Sequence, residues 1–233
     1  MVDTRPRTVE GLALLALGAF VTGLSGAVTP GPLLTGCIGE VARTGFVASL
    51  LLVGGHALTE LVIIILVALR ADVVARAHRA RRTFAALGAV ALMAMGALLL
   101  RDGLSSATQS PVQSVGDPSP LGPFLAGVAL TLLNPYWIAW WATIGAGLTT
   151  QAALKGRGGV AAFFLGHEMA DLVWYAFVGV IIASGRSLLT AAVYRGLLLV
   201  CAAAMFAIAA AFVAGLRRRP YPDRPGPEAG LAA

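Results

Sequence analysis

Apolar positions in this chain fall in long unbroken runs, with neither the alternation of a half-buried strand nor the one-sided stripe of a surface helix. A helix needs roughly 17 to 25 such residues to cross a bilayer. Six stretches qualify: 11–36, with a break at its proline pair, then 45–69, 84–100, 121–147, 160–183 and 196–216. The pattern predicts an all-α integral membrane protein with six transmembrane helices and no soluble domain left over. Polar residues gather between the runs: a short N-terminus at 1–10, a Ser/Pro/Gly-rich linker at 101–120, and a Pro-rich tail at 217–233. The stretch after Arg5 and Arg7 has some features of a signal peptide, but its length from Leu12 to Val28 favours a retained span.

The runs are related to one another. "GHALTEL" at 55–61 and "GHEMADL" at 166–172 share the pattern G-H-x-x-x-[ED]-L, in the second and fifth runs. "TPGP" at 29–32 breaks the first run and "NPY" at 134–136 breaks the fourth. The halves therefore read as two three-helix repeats, 11–100 and 121–216, each with a broken helix at its proline motif. With three spans per half, the second copy starts on the opposite side of the membrane, so the repeats are inverted, as in many secondary transporters. The spacing from proline motif to histidine is about six residues longer in the second copy, a difference expected in the first connecting loop of each repeat.

Composition agrees with a bilayer: 58% of the 233 residues are hydrophobic and 12% charged, too apolar for a water-soluble core. The net charge of +6 would suggest a nucleic-acid partner were the basic residues not confined to short blocks between runs. With both termini in the cytoplasm, 13 of the 17 Lys and Arg residues lie inside and four (Arg43, Arg101, Arg186 and Arg195) outside. That bias puts the block "RADVVARAHRARR" on the cytoplasmic side, with His78 as a solvated residue, and the cell (inner) membrane is the expected location. No nucleic acid is expected as a partner.

Four titratable side chains stand near mid-depth. His56 and Glu60 are four residues apart, about 40° from each other on one helix face, and His167 and Asp171 repeat the spacing. A bare charge at bilayer centre costs at least about 2.5–3.5 kcal/mol, so these groups should face the bundle interior and partner one another. They are candidates for binding a solute or exchanging protons. Glu168 points about 100° away from His167, towards a neighbouring helix. Pro30, Gly31 and Pro32, with Asn134 and Pro135, form the second candidate set, because broken backbone survives in a membrane only where it is buried in protein or lines a polar cavity. Trp137, Trp140, Trp141, Trp174 and Tyr175 are expected in an interfacial belt or in lipid-facing packing.

With these residues in view, "GAVTPGPLLT" in the first span and "LLNPYWIAWW" in the fourth resemble the lysine exporter (LysE/RhtB) family of membrane exporters, over about residues 11 to 216. The resemblance implies efflux of amino acids or related small solutes driven by an ion gradient, and no enzymatic activity. It carries over onto Pro30, Gly31, Pro32, Asn134 and Pro135. Members commonly show a lysine after the NP pair, where this chain has Tyr136, and the duplicated G-H-x-x-x-[ED]-L is not typical of them.

The leading reading is a proton-coupled secondary exporter whose partners are a small-molecule solute and lipid, with no cofactor; the symmetry permits a homodimer. The alternative is a divalent-metal exporter using His56, Glu60, His167 and Asp171 as ligands. A membrane thiol-disulfide conduit ranks lower, because Cys37 lies beyond "PGPLLTG", Cys201 is in the sixth span, and no cysteine follows "NP". For an intramembrane hydrolase, no nucleophile stands at a recognisable spacing from the histidines.

Overall fold

The computed structural model describes residues 9–69, 81–108, 119 and 121–217. Arg5 and Arg7, the basic block through residue 80 with His78, most of the linker and the tail after 217 lie outside the described residues. The chain forms α1 (Val9–Ala27), α2 (Pro32–Thr44), α3 (Val47–Leu69), α4 (Arg81–Leu104) and α5 (Leu121–Leu132). A continuous helical run follows, composed of α6 (Pro135–Trp140), a π turn (Trp141–Gly145) and α7 (Ala146–Leu154). α8 (Gly156–Ser184), a single 3-10 turn (Arg186–Leu188) and α9 (Ala191–Arg217) complete it, and there is no strand among the described residues. Among the described residues, five helices are long and apolar enough to cross a membrane: Glu10–Ala27, Val47–Leu69, Ala86–Leu104, Gly156–Ser184 and Ala191–Leu216. The apolar helix Leu121–Leu132 is shorter, because the fourth run is divided. Outward side chains such as Leu14, Leu17, Val62, Leu66 and Val200 are exposed, the arrangement of a bundle whose solvent is lipid.

Both interruptions follow from proline chemistry. Pro30 and Pro32 lack amide donors, so the ladder of α1 cannot continue through them. α1 closes with the Val28 and Thr29 amides donating to Leu24 and Gly26 (3.1 and 3.0 Å), and α2 restarts with Pro32 in its first turn after an extended Gly31. At the second break Pro135 opens α6, and Asn134 caps it by accepting the Tyr136 amide on its side-chain oxygen at 3.0 Å. After each broken segment a glycine with positive φ reverses the chain: Gly45 (φ 96°) between α2 and α3, and Gly156 (φ 73°) between α7 and α8. Most other residues are strained in that region.

The length difference between the halves is not in a loop. α2 has 13 residues, whereas the helical run from Pro135 to Leu154 has 20, and the turns that follow are short in both halves. The extra residues extend a helix, where each hydrogen-bonds to the next turn instead of lengthening a connection that would have to be solvated.

Packing sets the centre of the bundle. α1 lies along α8, α3 along α5 and α4 along α9. The first two pairs touch backbone to backbone: a Cβ at Gly166 would overlap the Ala16 carbonyl, one at Gly55 the Phe124 carbonyl, and one at Gly127 the Leu52 carbonyl. Such close crossings are how membrane helices gain packing without a hydrophobic driving force. Gly55 and Gly166 immediately precede His56 and His167, so each contact fixes the helix face on which its histidine sits.

Candidate functional site

α3 and α8 bring all four mid-depth residues to one buried point. His56, Glu60, His167 and Asp171 are between 2% and 6% exposed, among the few polar side chains buried in the described bundle. The pairs cross: His56 Nε2 is 3.4 Å from Glu60 Oε1 on its own helix and 3.8 Å from Asp171 Oδ1 on α8. His167 Nε2 is 2.8 Å from Glu60 Oε2. Each histidine thus meets the acid of the other helix.

Hydrogen-bond chemistry assigns the His56 tautomer. The Thr131 hydroxyl donates its single proton to the Gly127 carbonyl at 2.7 Å, so towards His56 Nδ1, at 2.8 Å, it can only accept. Nδ1 therefore carries hydrogen, and Nε2 is the nitrogen that can take up or release a proton or bind a cation. Thr131 was not legible as a site residue, since threonines on apolar helices usually bond their own backbone.

Glu60 is held from three sides. Its Oε1 accepts the indole N–H of Trp137 at 2.7 Å and of Trp141 at 3.0 Å, while Oε2 faces His167. An indole only donates, so Oε1 is fixed as an acceptor. His167 is clasped between the rings of Trp140 (centroids 5.0 Å apart) and Phe163 (5.7 Å), with Trp141 edge-on at 6.0 Å. The expectation of a lipid-facing or interfacial belt is corrected for Trp137, Trp140, Trp141 and Tyr175: the tryptophans of α6 and the π turn surround the acid and histidine, and Tyr175 is buried beside the same cavity. The available signal was the Trp137/Trp141 spacing of four, which puts both indoles on one helix face. Glu168 also belongs here, because its two carboxylate oxygens are buried without a hydrogen-bond donor and its charged neighbours are Glu60 and Asp171.

A cavity of about 50 Å³ opens onto this cluster, lined by His56, Glu60, His167 and Asp171 and by both breaks, through Thr29, Gly31 and Asn134. Pro30, Pro32 and Pro135 do not line it; they shape the breaks that expose their neighbours. No Lys or Arg is among the described residues that line it. The ligand atoms of His56, Glu60 and Asp171 lie within 4.8 Å of one another, close enough to share a metal ion, while His167 meets the cluster through Glu60. Cys37 and Cys201 are buried free thiols outside this lining.

No curated protein and no solved structure matches the chain significantly. The family described as LysE type translocator matches residues 24–215, which takes in both breaks and all four buried titratable residues. By that match this multi-pass membrane protein belongs to the LysE type translocator family, whose members are transporters, exporting amino acids or small solutes, and not enzymes.

Proposed function

We propose that the protein is a proton-coupled secondary exporter of amino acids or related small solutes, working by alternating access around the His56–Glu60–His167–Asp171 centre. The observation that carries this reading is the crossed pairing of two His/acid sets, one from each half, at a buried point between two helix breaks. Protons and solute would compete for the same Nε2 nitrogen and carboxylate oxygens, and a centre that holds one or the other but not both couples their opposite movements. The amino end of α2 opens at Gly31 and Leu33 onto the cavity and supplies partial positive charge for an anionic group of the solute.

The two halves, 11–100 and 121–216, are read as inverted repeats joined by the outer linker 101–120. Two features support this. Exchanging α1 for α5 and α3 for α8 turns the α1–α8 contact into the α5–α3 contact. The positive-φ glycines Gly45 and Gly156 are separated by the same 111 positions as His56 and His167. On the charge bias along the sequence, both termini are cytoplasmic and the membrane is the inner one.

The test is counterflow in proteoliposomes with a panel of basic, neutral and acidic amino acids under imposed pH gradients. Uptake should follow the gradient and disappear in His56→Ala and His167→Ala proteins that still elute as monodisperse species. Transport indifferent to the gradient, or surviving both substitutions, would remove the proton-coupled mechanism.

A further inference from the structure

We infer that this centre also binds a divalent transition-metal cation, through His56, Glu60 and Asp171. The inference rests on the exporter reading above and adds a second class of ligand to its centre.

Distance is the first reason. A tetrahedral ion about 2.0–2.2 Å from nitrogen and oxygen ligands holds those ligands about 3.4 Å apart. His56 Nε2 already stands 3.4 Å from Glu60 and 3.8 Å from Asp171, and all three ligand atoms lie within 4.8 Å of one another. An ion entering between them needs small side-chain adjustments and no backbone movement.

The surroundings are those of a metal ligand set. A ligating imidazole is characteristically oriented by a fixed acceptor on its other nitrogen, and Thr131, with its own proton committed to Gly127, is such an acceptor for His56. Glu60 is oriented in the same sense by Trp137, Trp141 and His167. Carboxylate and imidazole positions are thus settled before any ligand arrives.

Charge and size point the same way. The carboxylates of Glu60 and Asp171 face two imidazoles, and no Lys or Arg is among the described residues that line the cavity. With the imidazoles neutral, as metal ligands must be, the cluster carries a net negative charge, which in a bilayer calls for a cation. The cavity of about 50 Å³ has room for an ion together with several waters. One nitrogen and two carboxylate oxygens select Zn²⁺, Ni²⁺, Co²⁺ or Mn²⁺ over Mg²⁺ and Ca²⁺, which prefer all-oxygen shells, and the described lining residues offer no thiolate for Cu⁺.

The full chain purified in detergent is titrated with Co²⁺, read by its ligand-field absorption, and with Zn²⁺, read by calorimetry. One saturable site is expected, unaffected by millimolar Mg²⁺. His56→Gln and Asp171→Asn should abolish it. Thr131→Val, which keeps the side-chain volume and touches no ion, should weaken it about 10–100-fold. The same proteins are reconstituted and assayed for Zn²⁺ and for amino-acid counterflow. Absence of saturable binding, or equal binding by wild type and the His56 and Asp171 variants, overturns the metal assignment. If binding is absent while an amino acid moves in a His56-dependent way, the metal site falls and the exporter reading stands. If no solute moves, the exporter reading falls as well.

Discussion

Glu60 offers a pair of substitutions that separates what the fold needs from what transport needs. Glu60→Gln replaces one carboxylate oxygen by an amide nitrogen and leaves the other in place. The retained oxygen can still accept from Trp137 and Trp141, now 2.7 and 3.0 Å from Oε1, and the amide can donate to a neutral His167 Nε2, now 2.8 Å from Oε2. Glu60→Ala removes the acceptor and strands both indole N–H groups. An unsatisfied buried donor costs about 1–3 kcal/mol, so the two together make the alanine variant about 2–6 kcal/mol less stable than the glutamine variant. For a chain of this length that corresponds to a fall in melting temperature on the order of 10 °C. The assay is thermal unfolding of the detergent-purified proteins followed by elution on size exclusion, with counterflow measured on the same preparations. The glutamine variant should melt near wild type and transport nothing, because the negative charge has gone; the alanine variant should melt well below both. Equal melting of the two variants would refute the indole–carboxylate network as a structural element, and transport by the glutamine variant would refute a role for the charge.

Further outcomes follow from individual contacts. Gly166→Ala puts a methyl group into the Ala16 carbonyl and should cost about 1–3 kcal/mol by overpacking, whereas Gly18→Ala on α1, with nothing within 4 Å of its Cβ, should be neutral or slightly stabilising; thermal unfolding distinguishes them. Trp141→Phe keeps a ring but deletes the N–H that reaches Glu60 at 3.0 Å, and a hydrogen bond to a charged group is worth about 1.5–3 kcal/mol, so unfolding should shift by that amount while Trp174→Phe, away from the cavity lining, leaves transport intact. Asn134→Ala removes the cap that holds the Tyr136 amide and should lower stability by about 1 kcal/mol, measured by the same melts, with Asn134→Asp restoring it.

The histidine and carboxylate positions were readable from the chain because spacing on a helix fixes a face, and a charge at mid-depth must turn that face inward. The proline breaks were readable for a comparable reason, since a missing amide ends a hydrogen-bond ladder wherever it falls. The placement of Trp137 and Trp141 is only half legible, because their spacing of four puts both indoles on one helix face without saying whether that face meets lipid or interior. Their direction is set by the restart of the helix at Pro135, which is a matter of tertiary geometry. The angle of Glu168 from His167 turns it towards a neighbouring helix, and its charged neighbours are Glu60 on α3 and Asp171 on its own helix. An angle about one helix axis does not say how closely the next helix crosses. The unequal lengths of α2 and the Pro135–Leu154 run were hidden because counting residues between motifs cannot tell an extra helical turn from a longer loop.

That inequality bears on energetics as well as shape. With about 1.5 Å of rise per residue, the second arm reaches roughly 10 Å farther than the first. Perfectly matched halves that trade places would pass between two mirror states of equal free energy, and the gradient alone would decide which face stays open. Under the proposed alternating-access mechanism, unmatched arms would break that degeneracy. The empty carrier would then have a built-in resting posture, and a driving ion would first have to overcome this bias before doing work on the solute.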